Sequence, residues 1–198
     1  MVVTALAGAP QVNHVGYNSK TTGQSYAPDA VKVRLDEDRV ALDYLAANPI
    51  WLYLLDADYA KHRPPGDYRD VIRDEIARVL YETSPQSVFA PLGLMHPDHV
   101  AVSDASLQLA ANSSLTWYLY MDLPYGHYGR RTLSRRLAAV GQRCRLVEFD
   151  AYEGDPDIKL RAVALYSSQY DTTRANFREG FDVAMSGAER YWRVEAAR

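Results

Sequence analysis

Short apolar segments alternate with longer amphipathic segments along most of the chain, and this alternation constrains its fold more than any other feature. Residues 1–6 and 50–55 are continuous apolar runs, typical of strands buried on both faces of a sheet. The stretches between such runs place apolar residues at helical spacing. Strands that alternate with helices favour a mostly parallel sheet with helices on both faces. The sequence therefore predicts an α/β fold in one domain, residues 1–198.

The boundaries of several elements can be predicted from capping and helix-breaking residues. Asp29 is expected to cap a helix that stops at Asn48 and Pro49, and Asp67 precedes a second helical pattern. Residues 11–28 are polar and lack an apolar period, so we expect a surface loop there. Further strands are predicted at residues 87–91, 116–121, 144–149 and 189–194, and further helices at residues 100–111, 132–140 and within 155–187.

Composition restricts the classes of partner. The chain of 198 residues has a formal net charge of -3, so it has no excess of cations for nucleic acid or an anionic bilayer. No apolar run approaches the roughly 20 residues that span a membrane. We therefore expect no nucleic acid partner and no membrane span. The single cysteine, Cys144, cannot form an internal disulfide, which favours a reducing, cytoplasmic compartment and a buried or inert thiol.

Two histidines three residues apart follow the strand predicted at residues 87–91. In a helical turn the spacing of His96 and His99 places both imidazoles on one side, where they can meet one ion or one substrate. Ligands of open α/β sheets bind beyond the carboxyl ends of the strands, which is where this pair is predicted to lie. The alternative is that Pro97 and Asp98 start an ordinary helix and that both histidines are surface residues.

The wider segment around the pair carries more information than the pair itself. Residues 91–100, Pro-Leu-Gly-Leu-Met-His-Pro-Asp-His-Val, resemble the second signature of the PIG-L/LmbE-like deacetylases, which remove the acetyl group from N-acetylglucosamine-type sugars. Other segments resemble the same family in the same order: residues 2–10, 34–37, 52–57, 120–125 and 159–169. The resemblance implies a Rossmann-like sheet, a hydrolase of an N-acetylated sugar or glycosylated small molecule, and Zn2+ or another divalent metal as cofactor.

The resemblance also implies roles for individual residues. His99 matches a zinc ligand, and His96 matches a catalytic histidine that, as imidazolium, stabilises the oxyanion and protonates the leaving amine. Asp98 is expected to orient or tune His96. Arg34 matches an arginine that hydrogen-bonds sugar hydroxyls, with a solvated helix-face charge as the alternative. Asp56, at the end of a predicted strand, is expected to bind a sugar hydroxyl or else to cap a turn.

A loop rich in aromatic residues is a further candidate for contact with a sugar. Tyr125 and Tyr128 flank His127, and tyrosine rings stack readily on sugar rings. The aromatic residues at 117–120 lie in a predicted strand and are expected to be core. We therefore single out only the loop from Tyr125 to Tyr128.

One signature of the family is missing from the chain. The first family motif, His-Pro-Asp-Asp-Glu, supplies a zinc histidine, the zinc aspartate and the general base. None of the other histidines, His14, His62 and His127, precedes Pro-Asp-Asp. We therefore expect the first, central strand of the sheet to lie upstream of Met1, in a strand–helix unit of about 40 residues.

Three hypotheses about activity follow from this pattern. The first is an N-deacetylase whose activity belongs to the complete protein. The second is a catalytically inactive member of the same fold that binds a sugar or a partner. The third is a homo-oligomer in which another chain supplies the missing ligands.

Overall fold

The computed structural model describes residues 1–127, 130–149, 154–186 and 189–195, apart from the side chains of His127 and Glu179. The chain divides into two compact units. Unit 1 comprises residues 1–64 and 155–181, and unit 2 comprises residues 65–154 and 182–198. The single domain stays a prediction, because compact units do not by themselves decide whether either part folds alone.

In chain order the elements are β1 (Val2–Thr4), α1 (Tyr17–Thr22), α2 (Ala27–Tyr44), β2 (Pro49–Trp51), a 3₁₀ helix (Ala57–His62), α3 (Tyr68–Thr83), β3 (Ser87–Pro91), α4 (Pro97–Ala110), β4 (Thr116–Tyr120), a second 3₁₀ helix (Tyr125–His127), α5 (Arg130–Gly141), β5 (Arg145–Phe149), α6 (Pro156–Ala164), α7 (Ser167–Ser186) and β6 (Tyr191–Glu195). The predicted α/β class is confirmed, with helices and sheets that contain parallel pairs.

The sheet of unit 1 has two parallel strands, β1 and β2. Both are shorter than predicted, because in the described part of the chain the pairing beyond them continues only as single bridges at Leu6 and Gly8. Val2 and Val3 are 40% and 37% exposed, so the prediction of a strand buried on both faces was wrong here. A ladder of two short strands gives its side chains few neighbours.

The predicted surface loop at residues 11–28 contains a helix, α1, so that prediction was also wrong. The helix has no apolar period because its buried residue is the polar Asn18. Side chains distant in sequence form hydrogen bonds with Asn18. The next helix, α2, begins at Ala27 and not after Asp29. Pro28 lies in its first turn, where the fixed φ of proline suits a helix and its missing N–H costs no hydrogen bond.

The sheet of unit 2 has four strands in the order β3-β4-β6-β5. Strands β3 and β4 are parallel, as expected from the helix α4 that connects them. The terminal strand predicted at residues 189–194 is confirmed as β6, and it runs antiparallel to both β4 and β5. The sheet is therefore mixed. The predicted histidine pair lies just after the end of β3.

One face of this sheet packs on helices to form the core of unit 2. The alternation along β4 turns Trp117 and Leu119 to this face, and both are buried. Buried residues that share the core come from strands, helices and loops: Ala90, Leu92, Leu94, Leu107, Leu119, Met121, Val140, Cys144 and Trp192. Burial also raises the pKa of the Cys144 thiol, in accord with the predicted buried cysteine.

None of the helices in the described ranges combines the length and apolar character that crossing a membrane requires.

Candidate active site

The loop between β3 and α4 has a backbone that only certain residues can adopt. Gly93 has φ of 88°, and a Cβ at this position would lie 2.8 Å from the Cβ of Ser103. Met95 also has a positive φ, 54°, and its side chain is half exposed. Positive φ is costly for a residue with a side chain, and such strain is concentrated at functional sites. The loop thus holds a defined conformation just before His96.

Side chains from two helices fix the start of this loop. The carbonyl oxygen of Leu92 accepts hydrogen bonds from Ser103 Oγ and Arg136 Nε, both at 2.8 Å. Arg136 Nη2 also donates to Asp104 Oδ1 at 2.9 Å, so the guanidinium is held by a carboxylate as well. A charged group bound at several points keeps one orientation, and the loop carbonyl is fixed with it.

His96 is the N-cap residue of α4. Its Nδ1 accepts a hydrogen bond from the backbone N–H of Asp98 at 3.3 Å. Because Nδ1 accepts, these partners assign the ring proton to Nε2. The buried carboxylate of Asp98 lies with Oδ2 3.8 Å from the same Nδ1. The structure therefore brings together His96 and Asp98, as the sequence predicts.

His99 lies one helical turn further and faces a different partner. Its Nδ1 is 2.8 Å from Asp122 Oδ1, although the approach is not aligned as an ideal hydrogen bond. A carboxylate beside Nδ1 favours the tautomer with the proton on that nitrogen, which leaves Nε2 with its lone pair. The ring centroids of His96 and His99 are 5.3 Å apart. The predicted pair is therefore a true spatial pair.

An aromatic ring packs against both imidazoles. Tyr125 lies with its centroid 5.4 Å from that of His99, edge to face, and 6.3 Å from that of His96. The neighbouring Tyr128 and the side chain of His127 lie outside the described residues. Of the predicted aromatic loop, Tyr125 is thus placed beside the histidines.

Asp122 is the site residue that the sequence analysis missed. It is 1% exposed, and its other oxygen, Oδ2, accepts the N–H groups of Gly93 and Leu94 at 2.8 and 2.9 Å. The signal that points to it is its place: it follows β4, the parallel neighbour of β3, so both strands end at one edge of the sheet.

The two predicted sugar-binding residues are partners of each other in unit 1. Arg34 Nη1 lies 3.2 Å from Asp56 Oδ2 and donates to Asn18 Oδ1 at 2.5 Å. The Arg34 side chain is 29% exposed, and its charge is paired with the Asp56 carboxylate. Asp56 also caps the 3₁₀ helix through the N–H of Asp58. The alternative that Asp56 caps a turn therefore describes the role of its Oδ1 atom.

A second carboxylate of unit 1 engages His14. Asp58 accepts the N–H groups of Tyr17 and Asn18 at 3.1 and 2.9 Å, and His14 Nε2 lies 3.4 Å from its Oδ1. Partial burial raises the pKa of the Asp58 carboxyl, but the hydrogen bonds and His14 lower it by more, so the net shift is downward. His14 is thus held inside unit 1 by Asp58.

The residues now placed do not complete a zinc site. Within the described ranges no three His, Cys, Asp or Glu side chains form a group that could hold a metal ion. The Nε2 lone pair of His99 is a suitable zinc donor, but protein zinc sites generally use three or four such ligands.

An open cavity of about 550 Å³ lies elsewhere in unit 2, bordered by residues of α5, β5 and β6. None of the predicted site residues lines it. Its position gives no reason to assign it to the same chemistry as the histidines.

Several solved structures share this fold. A deacetylase of the teicoplanin biosynthesis pathway superposes with a TM-score of 0.78 at 25% identity, covering 99% of this chain and 86% of the other. Dbv21, the pseudoaglycone deacetylase of the antimicrobial reagent A40926, gives a TM-score of 0.73 at 25% identity, covering 100% of this chain and 84% of the other. A zinc-inhibited form of the teicoplanin deacetylase Orf2 gives 0.73 at 23% identity, covering 99% and 87%, which shows the fold alone.

The structural comparison supports the deacetylase class of hydrolase for this chain. No family model matches the sequence, and no curated protein matches it. The functional class thus rests on the shared fold, on identities of 25% and on the site geometry.

Proposed function

We propose that this chain is an N-deacetylase that hydrolyses the acetyl amide of an N-acetylglucosamine-type sugar on a small molecule. The observation that carries the proposal is the histidine pair, whose rings lie 5.3 Å apart and whose Nδ1 atoms face different groups. The Nδ1 atom of His96 accepts a hydrogen bond from a backbone N–H, whereas the Nδ1 atom of His99 lies beside a carboxylate. One imidazole therefore offers a proton at Nε2, and the other offers a lone pair there.

Amide hydrolysis needs both properties. Water adds to the acetyl carbon, the C–N bond breaks, and the products are acetate and a free amine. Negative charge grows on the carbonyl oxygen during this addition, and the amine must gain a proton to leave. A donor beside the reacting amide serves both needs, and we assign this role to His96 Nε2. The ring gives a proton to the amine in its imidazolium form, because a neutral imidazole is far too weak an acid, and it is left as a neutral imidazole. The proton that the attacking water loses restores the imidazolium.

Asp98 and Tyr125 support this assignment by their positions. The Asp98 carboxylate, 3.8 Å from His96 Nδ1, can balance positive charge on the ring. Tyr125 packs on both imidazoles and restricts their rotation. A ring held from two sides presents its Nε2 in one direction, which is what positioned proton transfer requires.

The sugar-binding part of the proposal concerns Arg34 and Asp56. The buried Nε atom of Arg34 has no hydrogen-bond partner among the described residues, although its Nη1 is engaged. Sugar hydroxyls both donate and accept, so a guanidinium beside a carboxylate can bind them in pairs. Asn18 holds both side chains, which we interpret as preorganisation of the pair.

The comparisons support a glycosylated small molecule as the substrate. One of the similar structures is a complex of a deacetylase with teicoplanin, at 25% identity and a TM-score of 0.75. We extend to this chain the class of substrate, a sugar on a small molecule. The cytoplasmic location that we propose rests on the single cysteine, Cys144, which cannot form an internal disulfide. A member of the same fold that binds a sugar or a partner without catalysis is the second candidate, favoured by the incomplete set of metal ligands among the described residues.

Metal content and turnover of histidine variants test the proposal. We propose His99 as one ligand of a zinc ion, so His99→Ala should lower bound zinc, measured by elemental analysis, and abolish acetate release. His96→Ala should retain zinc and lose most turnover. His62→Gln, which changes a histidine of unit 1, is the matched control.

Equal zinc loss in the two site variants would contradict this division of roles. A folded wild type that binds sugar conjugates without releasing acetate would favour the binding protein.

A further inference from the structure

The carboxylate of Asp122 has two oxygens with two different tasks. Oδ2 accepts the N–H groups of Gly93 and Leu94 at 2.8 and 2.9 Å, and Oδ1 lies 2.8 Å from His99 Nδ1. The first contact holds the loop that leads into His96. The second holds the other histidine directly. The Asp122 side chain therefore contacts both the loop that precedes His96 and the imidazole of His99.

Burial makes this arrangement consequential. The side chain of Asp122 has no exposed surface, and an isolated carboxylate in such a place is costly unless it is hydrogen-bonded or paired. Two backbone N–H groups donate hydrogen bonds to Oδ2, and the imidazole of His99 is the group that lies beside Oδ1. The negative charge of Asp122 therefore favours a proton on His99 Nδ1, the ring nitrogen that faces the carboxylate.

We propose that Asp122 is a positioning residue that sets the tautomer of His99 and the register of the loop that delivers His96. Its importance for turnover rests on the proposed function, but its effect on the two histidines does not. The carboxylate keeps the proton of His99 on Nδ1 and leaves the Nε2 lone pair available. The same carboxylate fixes the backbone at Gly93 and Leu94.

A purely structural role makes a different prediction. If Asp122 only tied down the loop, the contact with His99 would be incidental, and the tautomer of that ring would not depend on Oδ1. The two roles therefore separate in a measurement on the ring nitrogens of the metal-free protein.

Heteronuclear NMR of the imidazole nitrogens in metal-free wild-type protein, at mildly alkaline pH, is the first measurement. We expect His99 to carry its proton on Nδ1. In Asp122→Asn the amide oxygen can still accept from the loop, and the amide nitrogen then faces His99 as a donor. The proton of His99 should therefore move to Nε2, as the reversed hydrogen bond requires. A wild-type His99 protonated on Nε2, or an unchanged tautomer in Asp122→Asn, would overturn the proposal.

Amide exchange and kinetics complete the test. Gly93 and Leu94 amides should stay protected in Asp122→Asn and exchange faster in Asp122→Ala. Turnover of Asp122→Asn should fall about 10- to 100-fold with little change in KM, which is typical when a partner of a functional histidine is replaced. Asp70→Asn, an exposed carboxylate of α3, is the matched control. If wild type and control release no acetate, the proposed function fails, whereas the NMR result still decides the role of Asp122.

Discussion

Arg34 is a charged side chain whose partners are already in place. Its Nη1 contacts Asn18 and Asp56, and less than a third of the side chain is exposed. If it binds the sugar, truncation removes hydrogen bonds of a charged donor, which are worth about 1.5–3 kcal/mol each. We expect Arg34→Ala to raise KM by about tenfold or more, with a smaller effect on kcat.

Steady-state kinetics measures this effect. Lys32→Ala, an exposed cation of the same helix, serves as control and should leave KM unchanged. A normal KM in folded Arg34→Ala would contradict the sugar-binding role.

Asp58 gives a prediction about pH. Burial raises the pKa of its carboxyl, but the hydrogen bonds from Asn18 and Tyr17 together with His14 lower it by more. A carboxyl with a lowered folded pKa adds stability above its unfolded pKa, and this contribution is lost as pH falls through the folded value. We therefore expect Asp58→Asn to be less stable than wild type near neutral pH, with the difference shrinking below about pH 4.

Thermal unfolding of both proteins across this pH range measures the difference. A gap in melting temperature that does not change with pH would show that the Asp58 charge has no part in it.

The sequence placed some residues of the site and missed others for physical reasons. His96, Asp98 and His99 lie within one turn, so their spacing alone predicts their proximity. Asp122 meets His99 only because β3 and β4 are neighbouring parallel strands, which requires the strand order. Sequence spacing does not contain that information.

At the level of elements, Asp38 on α2 joins segments that are distant in sequence. Its carboxylate accepts from Trp51 Nε1 on β2 and from the hydroxyl of Tyr166 just before α7, both at 2.6 Å. Burial, together with Asp38, raises the pKa of that tyrosine. Loss of the carboxylate leaves two donors without a partner. We expect Asp38→Ala to lower the free energy of unfolding by about 1–3 kcal/mol.

Urea denaturation measures this loss. Asp36→Ala on the same helix, with an exposed carboxylate, should change stability much less. Equal losses in both variants would show that the shared helix, and not the buried bonds of Asp38, is responsible.

Element prediction succeeded where apolar periodicity is strong and failed where side chains define the element. Strands β3 to β6 and the helices between them lie close to their predicted ranges. The helix α1 escaped prediction because Asp58, 41 residues away in sequence from Tyr17, caps its first N–H groups. Capping by a distant side chain leaves no local signal.

At the scale of the molecule, the predicted α/β class is confirmed. The mixed strand directions could not be predicted from the alternation of strand-like and helical segments in the sequence. An antiparallel strand placed between two others, as β6 is, depends on long-range pairing. The strand and the His-Pro-Asp-Asp-Glu motif expected upstream of Met1 stay predictions. So does the homo-oligomer.

The function that we propose for this protein is hydrolysis of an N-acetyl sugar on a small molecule. The most direct measurement is acetate release from a panel of N-acetylglucosamine conjugates, with His96→Ala as the matched inactive control. We expect acetate and free amine in equal amounts from wild type and little of either from the variant. Equal acetate release by the two proteins, or none from folded, metal-supplied wild type on any conjugate, would contradict it.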